Sequence, residues 1–246
     1  MKLILLRHGE SQWNLENRFT GWKDVSLTNT GVAEATFSGE QLSKMNIEIK
    51  SVYTSVLNRA TETADIVTNI IKFPKENIQY DWRLNERHYG ALQGLNKSET
   101  AEKYGEDQVH IWRRSYDIPP PLLDINDERH PKFDDKFKAI NGDFLSGESL
   151  KNVLNRLNPF WKDYIAYLKE NFGNHLIVAH SNSLRAIVKL LDKLSDEEIM
   201  SVNIPTGVLL VYTLDKNLDV INKEYLINED ELKEKQEIVI NQGKAK

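Results

Sequence analysis

The sequence predicts an α/β fold: a mostly parallel central sheet covered by helices on both faces. Three observations carry this expectation. Short strand-like runs at Leu3–Leu6, Ser51–Ser55 and Ile177–Ala179 each end in a polar turn, as strands buried in an α/β core do. Each is followed by residues with helical spacing, and strands alternating with helices call for a parallel sheet with both faces covered. With 246 residues, the chain is long enough to close such a core without a metal or disulfide staple. We read 1–246 as a single domain.

The elements follow in order. Leu3–Leu6 is the first strand and delivers Arg7-His8-Gly9 at its carboxyl end. After Ser51–Ser55, residues Val56, Ala60, Ala64, Val67 and Ile71 recur three or four apart, the stripe of an amphipathic helix. From about 96 to 147 the rhythm breaks. That stretch is polar, contains Pro119-Pro120-Pro121 and lacks sustained periodicity, so it reads as a lid-like insertion folded over the sheet. The longest helical signal runs from about Ser149 to Lys169, with Pro159 predicting a kink or break. Ile177–Ala179 then leads to Leu184, Ile187, Val188 and Leu191 at helical spacing, and Ser195-Asp196-Glu197-Glu198 is a capping box that opens another helix. Gly207–Leu214 and Asp219–Ile227 form a strand pair through Asp215-Lys216-Asn217. Residues 228–246 are mostly charged and are expected to be a mobile tail.

Composition removes several classes of function. Cysteine is absent, which excludes a disulfide scaffold, a thiol nucleophile and Cys-ligated zinc or iron–sulfur clusters. With 32 Lys and Arg against 37 Asp and Glu, net −5, nucleic acid is not an expected partner. No apolar run approaches the ~18 residues of a membrane span, and Met1–Leu6 is too short for a signal peptide. The expectation is a cytoplasmic protein with no membrane partner.

Two histidines stand where α/β sheets bind ligands, beyond the carboxyl ends of strands. His8 sits between Arg7, whose planar fork suits phosphate or carboxylate oxygens, and Gly9, which permits close backbone approach. Neutral imidazole is available as a nucleophile near neutral pH. His180 repeats the arrangement at the start of a helix, whose free N–H groups and dipole favour an anion. Each alone is equally a hydrogen-bonded residue at a strand end; together, with nearby arginines, they suggest two sides of one phosphoryl group. Zinc would want a local histidine pair that the remaining His88, His110, His130 and His175 do not make with either, so no metal is expected. In Trp82–Gly90, Glu86 beside Arg87 is placed to serve as a general acid/base near an anion, and Tyr89 to donate to a phosphate. Lys97, Arg113 and Arg114 are either basic surface or phosphate clamps. No Walker or dinucleotide-binding glycine pattern follows a strand.

These residues carry a resemblance. Leu6–Ser11, Asn17–Trp22, Tyr53–Leu57, Trp82–Ser98, Ile111–Pro121, Gly147–Leu150 and Asn203–Gly207 together resemble the 2,3-bisphosphoglycerate-dependent phosphoglycerate mutases of the histidine phosphatase superfamily. The likeness extends over about Met1 to Leu226. The Arg-His-Gly triplet marks only the superfamily, whereas the run 83–97 is far more specific to the mutases. The resemblance implies a phosphoglycerate mutase-like fold. It also implies a glycolytic and gluconeogenic isomerase that interconverts 3-phosphoglycerate and 2-phosphoglycerate through a phosphohistidine primed by 2,3-bisphosphoglycerate, with no metal.

By that likeness His8 carries the phosphoryl group, Glu86 shuttles the hydroxyl proton, and His180 with Arg7 and Arg59 stabilises the group in flight. Ser11, Asn14, Thr20, Gly21, Arg87, Tyr89, Lys97, Arg113, Arg114, Ser181 and Asn182 fall on substrate-binding positions. A homodimer or homotetramer acting on small phosphoglycerates is also implied. Two positions depart: Ser181 follows His180 where the family usually has glycine, and, a lesser difference, Leu209 stands for the usual proline. The alternatives are therefore a phosphatase of the same superfamily, or a relative weakened in catalysis by Ser181.

Overall fold

The computed structural model describes residues 1–138 and 146–245. Six strands, β1 (Lys2–Arg7), β2 (Ile49–Thr54), β3 (Ile78–Tyr80), β4 (Asn174–Ala179), β5 (Leu209–Leu214) and β6 (Val220–Tyr225), form one sheet in the order β3-β2-β4-β1-β5-β6. The four strands from β3 to β1 are parallel; β5 and β6 are antiparallel. The α/β architecture is as expected, with a mixed sheet in which the parallel part carries the strand ends of interest. Edge strand β3 had no sequence signal: it is three residues long, and only Ile78 is buried.

The described residues form nine α-helices. They are α1 (Gln12–Leu15), α2 (Asn29–Lys44), α3 (Asn58–Ile71), α4 (Lys97–Tyr104), α5 (Glu106–Arg114), α6 (Leu150–Glu170), α7 (Ser181–Asp192), α8 (Glu198–Ser201) and α9 (Glu229–Asn241). Alternation along β1 sorts the core. Leu3 and Leu5 pack with the apolar faces of α6 and α7, while Ile4 and Leu6 pack with Leu42 of α2 and Ala64 and Val67 of α3. Period-two side chains on a strand covered on both sides require this division. Helix α6 begins at a reciprocal box between Ser149 and Asn152 and runs unbroken through Pro159, so the expected break does not occur. The box at Ser195 is made, with Ser195 N–H donating to Glu198 and Glu198 N–H to Ser195 Oγ, and the short α8 follows.

Two segments carry helices that the sequence pattern does not announce. The insertion is helical over α4 and α5. Its periodicity is hidden because most buried positions of these two helices are polar, among them Lys97, Thr100, Arg113 and Arg114. Part of the insertion, 139–145, lies outside the described residues. The charged tail carries α9. Asn228 caps its first turn, acidic residues there suit the helix dipole, and Lys235 pairs with Glu34 of α2 at 3.0 Å. Only Val239 of α9 is buried, so the helix has no apolar stripe to read and is held by contacts with distant elements.

Candidate active site

Strands β1, β4 and β2 lie side by side, and their carboxyl ends bring His8, His180 and Ser55 together. The His8 N–H donates to Ala179 O across the β1–β4 ladder at 3.0 Å, and the two imidazole rings meet edge-on, centroids 5.0 Å apart. His8 Nδ1 lies 2.7 Å from Gly9 O. A carbonyl only accepts, so Nδ1 carries the proton and Nε2 holds a lone pair. Arg59 Nε donates to that Nε2 at 3.2 Å, which requires the same tautomer. Burial, then Arg59 and Arg7, hold the His8 ring well below its ordinary pKa. It is therefore a neutral base whose electron pair accepts a hydrogen bond from a fixed cation. On His180, Nε2 lies 2.7 Å from Ser55 Oγ, which itself accepts Leu57 N–H. Its Nδ1 is buried with no partner among the described residues.

The cleft over His8 is lined by Arg7, Arg59, Lys97, Arg113 and Arg114, with Glu86 the one carboxylate among the described residues, and by Asn14, Thr20, Tyr89, Ser181 and Asn182. None of these five cations is in an ion pair among the described residues, whereas Arg18, a sixth cation on the lining, pairs with Glu16. Burial pulls Arg59 and Arg113 down to about 10, and Lys97 and Arg114 are lowered by burial and then by Arg113. Buried, unpaired positive charge is costly. An anion would relieve it.

Not every residue on the expected list faces this cleft. Ser11 is fully buried and caps α1 with Asn14. Gly21 offers its carbonyl to Arg59 Nη2 at 2.9 Å. Arg87, also fully buried, lies over the Tyr89 ring and donates to Arg113 O at 3.0 Å. All three hold cleft residues in place. The structure also supplies residues that the sequence reading did not single out. Arg18, Val239 and Gln242 line the cleft. Val239 O accepts Arg113 Nη2 at 3.1 Å and Gln242 Oε1 accepts Lys97 Nζ at 3.2 Å, so α9 and the residues after it roof the site. The Glu86 carbonyl is held by Trp22 Nε1 at 2.6 Å and Arg156 Nη2 at 2.9 Å. Arg156 is paired in turn with Glu148. Trp22 and Glu148 sat within the matched runs, so a signal for them existed; Arg156, Val239 and Gln242 had none. Among the described residues no group of three or more His, Asp or Glu is placed to hold a metal, and no helix is long and apolar enough to cross a membrane.

The family model described as histidine phosphatase superfamily (branch 1) matches residues 3–129 and 123–224. The chain belongs to this superfamily. Solved structures share its fold. A mycobacterial glucosyl-3-phosphoglycerate phosphatase complexed with VO3 superposes with TM-score 0.70 at 21% identity, covering 92% of this chain and 98% of that one. An alpha-ribazole phosphatase from Shigella flexneri gives 0.66 at 19% identity, over 90% and 95%. The Bacillus stearothermophilus protein YhfR gives 0.65 at 23%, over 89% and 93%. As in the superfamily at large, phosphoryl transfer is the chemistry to expect of this site.

The histidines also make stability depend on pH. Burial drives His88 down to about 3, and His8 and His180 are lowered in the same direction by burial. Unfolded, each takes a proton near pH ~6.5; folded, each stays neutral well below that. The unfolded state therefore binds more protons below ~6.5, and stability falls as pH falls, by about 1.4 kcal/mol per pH unit for each fully buried ring. Urea midpoints measured at about pH 7.5, 6 and 5 should fall steeply below neutrality. Constant midpoints would contradict the neutral, buried state of these rings.

Proposed function

We propose that the protein is a phosphoglycerate mutase that interconverts 3-phosphoglycerate and 2-phosphoglycerate through a phosphohistidine at His8 Nε2. The observation that carries this is the lone pair of a neutral, buried imidazole aimed into a cleft of five unpaired cations. His8 Nε2 takes the phosphoryl group, Arg7 and Arg59 neutralise its oxygens, and His180 supports it from the neighbouring strand end. Glu86 moves the proton of the leaving or attacking hydroxyl. Phosphoryl transfer needs positioning and charge compensation above all, and fixed cations supply both. Lys97, Arg113 and Arg114 form a second positive group, which suits a substrate with a carboxylate or second phosphate distant from the reacting one. 2,3-Bisphosphoglycerate, when bound, supplies the phosphoryl group that primes His8; its two phosphates match the two cation groups.

A second reading is a phosphatase, favoured by the activities named for the mycobacterial and Shigella proteins of the same fold. The two readings differ in whether water reaches the phosphohistidine. The roof formed by Val239 and Gln242 supports the mutase, because shielding lets the intermediate reorient before hydrolysis. The test is an assay on 3-phosphoglycerate with and without 2,3-bisphosphoglycerate, following 2-phosphoglycerate and free phosphate together. A mutase forms isomer faster than phosphate and is stimulated by the bisphosphate. Phosphate release outpacing isomer formation would establish the phosphatase.

A further inference from the structure

We propose that Arg185 is a positioning residue that locks Asn182 onto one oxygen of Glu86, leaving Oε2 as the oxygen that carries the proton. The inference rests on the role given to Glu86 above and says which atom performs it and what aims it.

Arg185 lies on α7, one turn beyond Asn182, and is 1% exposed. It makes no ion pair among the described residues. Its Nη1 donates to Asn182 Oδ1 at 2.9 Å and its Nη2 to Ile199 O at 2.8 Å. A guanidinium can only donate, so it fixes which end of the Asn182 amide faces it. The other end, Nδ2, must turn toward the cleft, where it donates to Glu86 Oε1 at 2.8 Å and meets Tyr89 Oη at 3.2 Å. The flipped amide would set N–H against guanidinium and oxygen against carboxylate. Oε1 also accepts the Asn182 backbone N–H at 3.1 Å, at the start of α7, and the Arg87 N–H at 2.7 Å. Three donors fill Oε1. None of the described residues donates to Oε2.

A carboxyl group so held carries its proton on Oε2. As the His8 Nε2 electron pair forms the N–P bond, the P–O bond breaks and its electrons go to the ester oxygen. That oxygen takes the proton from Oε2, leaving Glu86 a carboxylate. In the return step Oε2 removes the proton of the attacking hydroxyl. The charged and titratable groups facing Glu86 are Arg7, Arg59, Tyr89, Lys97 and Arg185. Of these, Arg185 is the one that orients its donor.

The test compares Arg185→Met with the unsubstituted chain. On 3-phosphoglycerate, kcat should fall about 30-fold with KM nearly unchanged, within the range of a general acid–base contribution. The acid limb of the rate profile should move to higher pH, because the ionised carboxyl loses a donor. Phosphorylation of His8 by p-nitrophenyl phosphate, whose phenolate leaves without a proton, should stay within about twofold. Equal losses on both phosphoryl donors, or an unmoved acid limb, would overturn the proposal. Should Arg185→Met fail to fold, Asn182→Asp keeps the Arg185 anchor and replaces Nδ2 with an oxygen. Impaired turnover of 3-phosphoglycerate with a raised acid limb is again the supporting result. If the unsubstituted chain acquires no acid-labile phosphate at all, the assignment of His8 fails instead, which is a separate outcome.

Discussion

Replacing His8 with alanine is expected to lower phosphoglycerate turnover by about 10⁴-fold or more, because the group that forms the covalent intermediate is gone. The acid-labile phosphate that 2,3-bisphosphoglycerate leaves on the unsubstituted protein should be absent after rapid quench. Binding should survive. Arg7, Lys97, Arg113 and Arg114 stand on β1, α4 and α5 without a hydrogen bond to the imidazole, and Arg59 on α3 keeps the carbonyls of Gly21 and Lys23 as acceptors when it loses His8 Nε2, so inorganic phosphate should bind His8→Ala within a few-fold of the parent. Loss of the two imidazole hydrogen bonds, to Gly9 O and from Arg59 Nε, costs about 1 kcal/mol each. A protein that stays folded, binds phosphate and forms no adduct would locate the chemistry at His8. A His8→Ala protein that still turns over would remove the phosphohistidine from the mechanism.

Gly9→Ala should damage both stability and activity through space alone. A Cβ on Gly9 would stand 2.2 Å from Gly31 O, and one on Gly31 would stand 2.0 Å from Glu10 O. Neither glycine has a positive φ. The loop after β1 is thus laid backbone to backbone on the first turn of α2, and a methyl group can enter only by moving one of them. The expected cost is about 3 kcal/mol of unfolding free energy. The displaced loop carries His8, so turnover should fall about 10²-fold, the usual consequence of moving a catalytic group by an ångström. Gly105→Ala is the contrasting case. A Cβ there meets nothing within 4 Å, but φ is +88°, so about 1 kcal/mol of backbone strain is expected with turnover intact. Unchanged urea midpoints for Gly9→Ala would show that the contact gives way freely.

The parts of this molecule readable in its sequence are those whose physics is local. Leu3–Leu6 announces a buried strand because each of its side chains is apolar. Ser149 and Ser195 announce helix starts because the capping bonds join residues three apart. Helix α9 goes unannounced for the opposite reason. Helix α9 takes its order from Glu34, Asn203 and Arg113, which lie far away in the chain, and no window of sequence contains them. The helices of the insertion are equally hidden, because its inward face is built largely of lysine, threonine and arginine, so burial there leaves no apolar period.

The sequence by itself determined the α/β class, the two histidines at strand ends, and the cations and carboxylate from which a phosphoryl-transfer site could be built. Only the tertiary structure decided which nitrogen of His8 is unprotonated, that five positive charges converge without ion-pair partners among the described residues, and that Arg185 through Asn182 occupies one oxygen of Glu86. The physical reason is distance along the chain. Residues 8, 59, 86 and 182 meet because β1, β2 and β4 are neighbours in the sheet, and hydrogen-bond direction exists only once they have met.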